Sequence, residues 1–354
     1  MRFRVLDAAV AADRAAWKAA WEESPAREPA AHPAYAALFA RPCDRVVCAA
    51  GTDAGGTILF PLVLRPLKAE PWARADESRW DATTPYGYGG PFAWGPGPRD
   101  DAAFWREHAQ WCGRERVATT FVRLSLFPDQ LASLPAPAEE RLVNIVIPLA
   151  EGADAVWAGY DRTVRKAVKD AREAGLTVEI DEAGERVEEF FSVYTHTMTR
   201  RGAADWYFFG REFFTRLIAE LPGLFVFVHA LKDGKVVWSS LELRSRDYLY
   251  AFLGGTLEEA FELGPNHLLK HESAVWGAAR GLKGFVLGGG HAPGDGIFRY
   301  KRAYAKTGET PFRVLCLTHD VEACADLSRD RAVSEAAGGR EWTARPGYFP
   351  PYRG

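Results

Sequence analysis

No stretch of this chain approaches the roughly 18 consecutive apolar residues of a membrane-spanning helix. Its start, Met1-Arg2-Phe3-Arg4-Val5, has no apolar stretch long enough for a signal peptide. Membrane insertion and export are therefore not expected, and a cytoplasmic location is. Cysteine is scarce. Cys43, Cys48, Cys112, Cys316 and Cys324 are odd in number, scattered, and form no CxxC pair. That pattern offers neither a disulfide framework nor a zinc motif, so reduced thiols and no metal are expected. An excess of one charge is missing too. Lys+Arg 44 against Asp+Glu 47 gives a net charge of −3, which argues against a surface given over to nucleic acid but allows a local basic stripe. No heptad run appears, so no coiled-coil arm is expected.

What is present is enough apolar sequence for packed cores. The 354 residues are 47% hydrophobic and 26% charged, which suits two ordinary globular domains and not disorder. Helix-like and strand-like segments alternate. The first half reads as a helix at about 11–21, strands at 45–50 and 57–65, and a Trp/Tyr/Gly-rich loop at 72–97. A helix at 101–115 and strands at 117–126 and 142–148 follow. The second half opens with one long helix at 153–174, closed by Gly175. A strand at 176–181, helices at 185–201 and 210–221, and strands at 224–231, 235–244 and 247–253 come next. A helix at 265–280 and strands at 283–288, 297–303 and 311–317 complete the count. The tail from about 320 reads as a surface helix plus an extended arm that serves as a lid, an interface or a loose end.

Two stretches echo each other. Val46–Gly55 leads to Leu62-Val63-Leu64-Arg65, and Val226–Gly234 leads to Leu241-Glu242-Leu243-Arg244. Each is an apolar strand, an Asp/Gly turn and a returning strand ending Leu-x-Leu-Arg, which points to a duplicated α/β unit.

The order strand, helices, three-strand meander, helix, strand over 176–288 resembles the layout of GNAT acyltransferases. Several local motifs narrow the resemblance. They are Thr84-Pro85-Tyr86-Gly87-Tyr88-Gly89-Gly90-Pro91, Arg162-Thr163-Val164-Arg165-Lys166-Ala167, Pro265-Asn266-His267-Leu268-Leu269, Leu287-Gly288-Gly289-Gly290 and Phe298-Arg299-Tyr300-Lys301-Arg302. In order and spacing they resemble the Fem (FemAB-like) family and its acetyltransferase near relatives, over about 30–317. The resemblance implies a mixed α/β fold of two GNAT-like lobes, placed at 1–150 and 151–318, with 319–354 as an extension. It implies transfer of an aminoacyl group from aminoacyl-tRNA to an amine of a peptidoglycan precursor or small peptide. One departure matters. Where acyl-CoA-dependent GNAT enzymes carry an Arg/Gln-x-x-Gly-x-Gly/Ala loop, this chain reads Glu262-Leu263-Gly264-Pro265-Asn266.

The chemistry needs something to hold a tetrahedral oxyanion and something to take the amine's proton. Lys301 matches the family's lysine and is expected beside Tyr300 on a short strand, its ammonium aimed at the oxyanion or a donor phosphate. The alternative is an exposed lysine between Arg299 and Arg302. Gly289 and Gly290 permit close backbone approach to a substrate, or simply form a turn. Tyr86 and Tyr88 are expected to line the acceptor pocket, unless they form a hydrophobic plug.

Arg162, Arg165, Lys166, Lys169 and Arg172 share one helix face and offer phosphates a cationic stripe, or solvent a charged one. Arg165 and Lys166 are the pair singled out for substrate binding. Asn266 is expected to cap its helix, with His267 one residue on and in reach of substrate. His267 and His271 lack a third ligand by spacing. Glu242, in the middle strand of the meander, is the candidate base, with His196 and Asp295 behind it.

Three functions stay open: aminoacyl transfer from tRNA, acyl transfer from acyl-CoA, and a non-catalytic binding module. No bound cofactor is expected, the donor being a substrate. The acceptor is a small-molecule or peptide amine, and tRNA is a potential partner.

Overall fold

The computed structural model describes residues 1–354. In chain order the elements are β1 (Arg2–Asp7), α1 (Ala11–Glu23), α2 (Pro33–Leu38), β2 (Arg45–Asp53), β3 (Gly56–Pro66), β4 (Trp80–Thr83), β5 (Phe92–Trp94), α3 (Asp101–Glu115), β6 (Val117–Arg123) and β7 (Glu139–Pro148). Then follow α4 (Ala153–Gly159), α5 (Arg162–Glu173), β8 (Leu176–Asp181), α6 (Val187–Arg201), α7 (Arg211–Glu220), β9 (Phe225–Lys232), β10 (Lys235–Arg244), β11 (Tyr248–Thr256), α8 (Pro265–Ala279), β12 (Gly284–Gly288), α9 (Gly296–Arg302), β13 (Glu309–Thr318) and α10 (Val321–Ala337). No helix is long and apolar enough to cross a membrane. The chain forms two compact units, Met1–Arg141 with Phe312–Gly354, and Leu142–Pro311.

In the first unit β1, β2, β3 and β4 pair antiparallel in succession, β4 pairs parallel with β6, and β6 pairs antiparallel with β13. In the second, β8, β9, β10 and β11 pair antiparallel, β11 pairs parallel with β12, and β12 pairs antiparallel with β7. The two sheets share one pattern. The echoing hairpins, β2–β3 and β9–β10, fill the second and third places of their sheets. In the second hairpin Asp233 and Gly234 both take positive φ, 51° and 79°, the type I′ signature that suits strand twist. β13 reaches the first unit only after the whole second unit, whereas β7 spans the boundary at 141/142 and opens the second.

Each unit has its own core. In the first, α3 turns Phe104, Trp105, His108, Trp111 and Cys112 inward at helical spacing onto Ile58, Phe60 and Leu62 of β3. Asp100 caps that helix, accepting from Ala103 N at 2.8 Å. In the second, Val164, Val168 and Ala171 of α5 and Leu268, Leu269 and Ala274 of α8 join Val226, Val228 and Phe285 from the sheet.

The structure departs from the sequence reading in four places. The helix expected at 153–174 breaks between α4 and α5, because Tyr160 and Asp161 are extended and Asp161 N donates to Ala303 O at 2.8 Å. The strand expected at 297–303 is helix α9, since Asp295 Oδ1 accepts from Phe298 N at 2.7 Å and starts a helical turn. The loop at 72–97 contains β4 and β5. The tail clusters with the first unit, and the units meet at 141/142 and 311/312, where the sequence reading drew 150/151 and 318/319. Far from being a loose arm, the tail ends in fully buried Tyr352, which packs on Leu67, Trp72, Ala118 and Leu327.

Candidate active site

The second unit gathers most of the expected residues around α8, α9 and the loop at 288–295. Lys301 projects from α9 and donates to Gly289 O at 2.7 Å. Burial, then the nearby Lys270 cation, bring its ammonium down to about 8, with Asp295 pulling the other way. Gly289 and Gly290 sit where only a hydrogen fits. A Cβ on Gly289 would stand 2.6 Å from Asn144 Oδ1, and one on Gly290 would stand 2.2 Å from Asp295 Oδ1. Asp295 organises this loop. Its Oδ2 accepts from His291 N at 2.7 Å and Ala292 N at 3.1 Å while Oδ1 caps α9. These backbone donors hold its carboxyl below the usual range, so it serves the loop and not as a base.

Glu242 lies on β10 directly at a β-bulge, where the pairing with β11 shifts between Leu241 and Glu242. Its Oε1 accepts from Ser273 Oγ at 2.8 Å and Ser240 Oγ at 3.2 Å, whereas its Oε2 is buried without a partner. Burial raises this carboxyl to about 7, against the pull of Lys270 and the two serines. Lys270 on α8 is the link that the sequence reading missed. Its ammonium is lowered by burial and raised by Glu242, and it depresses both Lys301 and His267. A lysine in a helix reads as surface, and its only sequence signal is its placement three residues after His267 and three before Ser273.

Beside these charges runs a hydrogen-bonded chain. Asn266 Nδ2 donates to Tyr300 OH at 3.0 Å, Tyr300 OH lies 3.0 Å from Tyr304 OH, and Tyr304 OH lies 2.8 Å from His267 Nδ1. Asn266 is therefore not the expected helix cap. Gly264 occupies that position and Pro265 starts the helix, leaving the amide free to reach α9. The parallel ladder between β11 and β12 spans only Tyr248–Tyr250, although β11 continues to Thr256.

Other expected residues make contacts of their own. Arg165 donates to the carbonyls of Trp157, Ala158 and Tyr160, closing the end of α4. Lys166 pairs with Asp170 at 2.6 Å on an exposed face, and Arg172 with Glu272 at 2.6 Å. Much of the basic stripe is thus engaged structurally. His271 is buried against Trp157 and Tyr160, and His196 is exposed. Tyr86 and Tyr88 belong to the first unit. There Tyr35 OH donates to Tyr86 O at 2.8 Å, and the Tyr88 ring meets Phe312 edge-on at 5.8 Å.

Comparison with known proteins places this geometry. Residues 158–302 match the acetyltransferase (GNAT) domain family. The chain has the fold of FemX, with a TM-score of 0.60 at 12% identity over 87% of this chain and 94% of that one. L-PGS from Bacillus licheniformis aligns with a TM-score of 0.55 at 13% identity, covering 86% of this chain and 91% of that one. The C-terminal domain of a putative lysylphosphatidylglycerol synthetase from Agrobacterium fabrum gives 0.54 at 12% identity, covering 90% and 97%. No curated protein sequence matches significantly. The chain therefore has a FemX-like fold of two compact units, and residues 158–302, in its second half, match the GNAT domain family.

Proposed function

Given a GNAT domain within a FemX-like fold, we propose that this chain transfers an aminoacyl group from aminoacyl-tRNA to an amine of a peptidoglycan precursor or other small peptide. The observation that carries the proposal is Lys301, half-buried and held at the glycine loop by Gly289 O, with Lys270 near enough to influence both Lys301 and Glu242. The amine attacks the ester carbonyl. Lys301 stabilises the oxyanion that forms, in a partly dry setting where a positioned cation counts for more than in water. The amine's proton passes toward Glu242, whose carboxyl near 7 is poised to accept it, with Lys270 as the intervening charge. The C–N bond forms, the C–O bond to the ribose breaks, and the ribose hydroxyl leaves with a proton.

Two further points support an aminoacyl donor. The sequence around Gly264 lacks the acyl-CoA loop, and one structural neighbour is named for a product that carries a lysyl group. Acyl-CoA as donor is the second reading, favoured by the match of residues 158–302 to an acetyltransferase family.

Incubating the protein with charged tRNAs, acyl-CoAs and candidate amines, and following product mass, separates the two. Product from aminoacyl-tRNA alone is the expected result. Product from acyl-CoA alone replaces the first reading by the second, and tight acceptor binding without product defeats both.

A further inference from the structure

Within the first unit, one histidine–cysteine cluster takes no part in the chemistry proposed above. His108 and Cys112 are four apart on α3, so both point from one helix face, and His319 follows β13. One ligand atom from each of the three lies within 4.8 Å of the others. Cys112 Sγ stands 3.7 Å and 3.8 Å from the two ring nitrogens of His108. A tetrahedral zinc sets a thiolate sulfur and an imidazole nitrogen about 3.6 Å apart, so Sγ is within ligand range of the ring, and metal binding requires the His108 ring to turn one nitrogen toward it.

We propose that His108, Cys112 and His319 form a binding site for one zinc-class divalent cation.

The surroundings match what such a site requires. His319 Nε2 lies 2.8 Å from Thr120 Oγ1, an outer partner of the kind that orients a ligating ring. Phe60, Phe104, Trp105 and Trp111 pack around the His108 ring and form a dry wall. A cavity of about 270 Å³ has Cys112, His319, Arg116 and Asp320 among its lining residues. It gives a metal an entry path and room for a water as fourth ligand. The thiol is the ligand that must change. Binding replaces the Cys112 proton with the metal, and the proton goes to solvent.

The sequence hides this site. It contains no CxxC pair, and the third ligand lies more than 200 residues beyond the second, brought in only when β13 joins β6.

The test uses the full chain, stripped of metal, with cobalt(II) as spectroscopic probe and zinc as competitor. The expected result is about one equivalent of cobalt with a thiolate-to-cobalt charge-transfer band, bleached by zinc. Cys112→Ser should lose that band, and His319→Ala should weaken binding at least roughly tenfold, as loss of a ligand or its support does. Cys316→Ser and Cys324→Ser should keep it. Should Cys112→Ser fold poorly, the band of the wild-type protein and its response in His319→Ala still decide the matter. Absence of a thiolate band in the wild-type protein, or its persistence in His319→Ala with unchanged affinity, overturns the proposal.

Discussion

At the scale of single residues, Glu242 shows how environment converts a common side chain into a candidate base. Its carboxyl titrates near 4.5 when unfolded and near 7 in the fold. Between those values the native state holds the extra proton, so stability falls as pH rises from about 4.5 to about 7 and stays lower above. The shift amounts to about 3 kcal/mol. Melting of wild type and Glu242→Gln at pH 5 and pH 8 checks this: the wild type should lose more stability between the two than the variant. Equal losses would contradict it. Transfer by the wild type should also fall below about pH 7, as the carboxyl takes up its proton, and the variant should lack that limb. Glu242 was legible in the sequence as a carboxylate among the apolar residues of a central strand. Lys270 was not, because nothing in a helical pattern distinguishes a lysine turned toward a buried carboxylate from one in water.

At the scale of elements, the loop at 288–295 and helix α9 act together to place Lys301. Asp295 both caps α9 and ties down the loop. Asp295→Ala should lower the melting temperature by loss of the cap, and should lower turnover because the same helix carries Lys301. Gly290→Ala should lower turnover and, by pressing on the Asp295 cap, lower the melting temperature as well. Its new Cβ meets the Asp295 carboxylate at 2.2 Å. Steady-state rates beside melting curves check both, and full activity in either variant would contradict the role given to this loop.

The glycines and the Phe-x-x-Lys spacing were readable in the sequence. The helix was not, because Phe298 and Tyr300 alternate as in a strand, and only the cap shows that Tyr300 and Tyr304 lie one turn apart. The same limit applies to Asn266, which reads as a cap until Tyr300 is found to take its amide hydrogen.

At the scale of the whole molecule, the hairpin echo foretold two sheets of one pattern, since turn chemistry and apolar flanks are local. The closing pairings of the two sheets, β6 with β13 and β12 with β7, join distant segments and left no local mark. The tail is the clearest case. Exposed at Tyr348 and buried at Tyr352, it closes the first unit by the Tyr352–Thr119 hydroxyl contact of 2.6 Å and by Arg353, which pairs with Asp81 and with Glu70. Tyr352→Phe should cost about 1 kcal/mol, one hydrogen bond, and Tyr352→Ala about 3–5 kcal/mol, the loss of a buried ring. Chemical denaturation checks the order, and a Tyr352→Ala protein as stable as wild type would show the tail to be dispensable.

The claim on which the functional account turns is that the Lys301 ammonium stabilises the transition state. Single-turnover transfer from aminoacyl-tRNA to an amine acceptor, followed by product mass, tests it directly. Lys301→Ala, with an unchanged circular dichroism spectrum, should slow the step at least tenfold, about 1.4 kcal/mol. An unchanged rate in that variant would remove Lys301 from the chemistry.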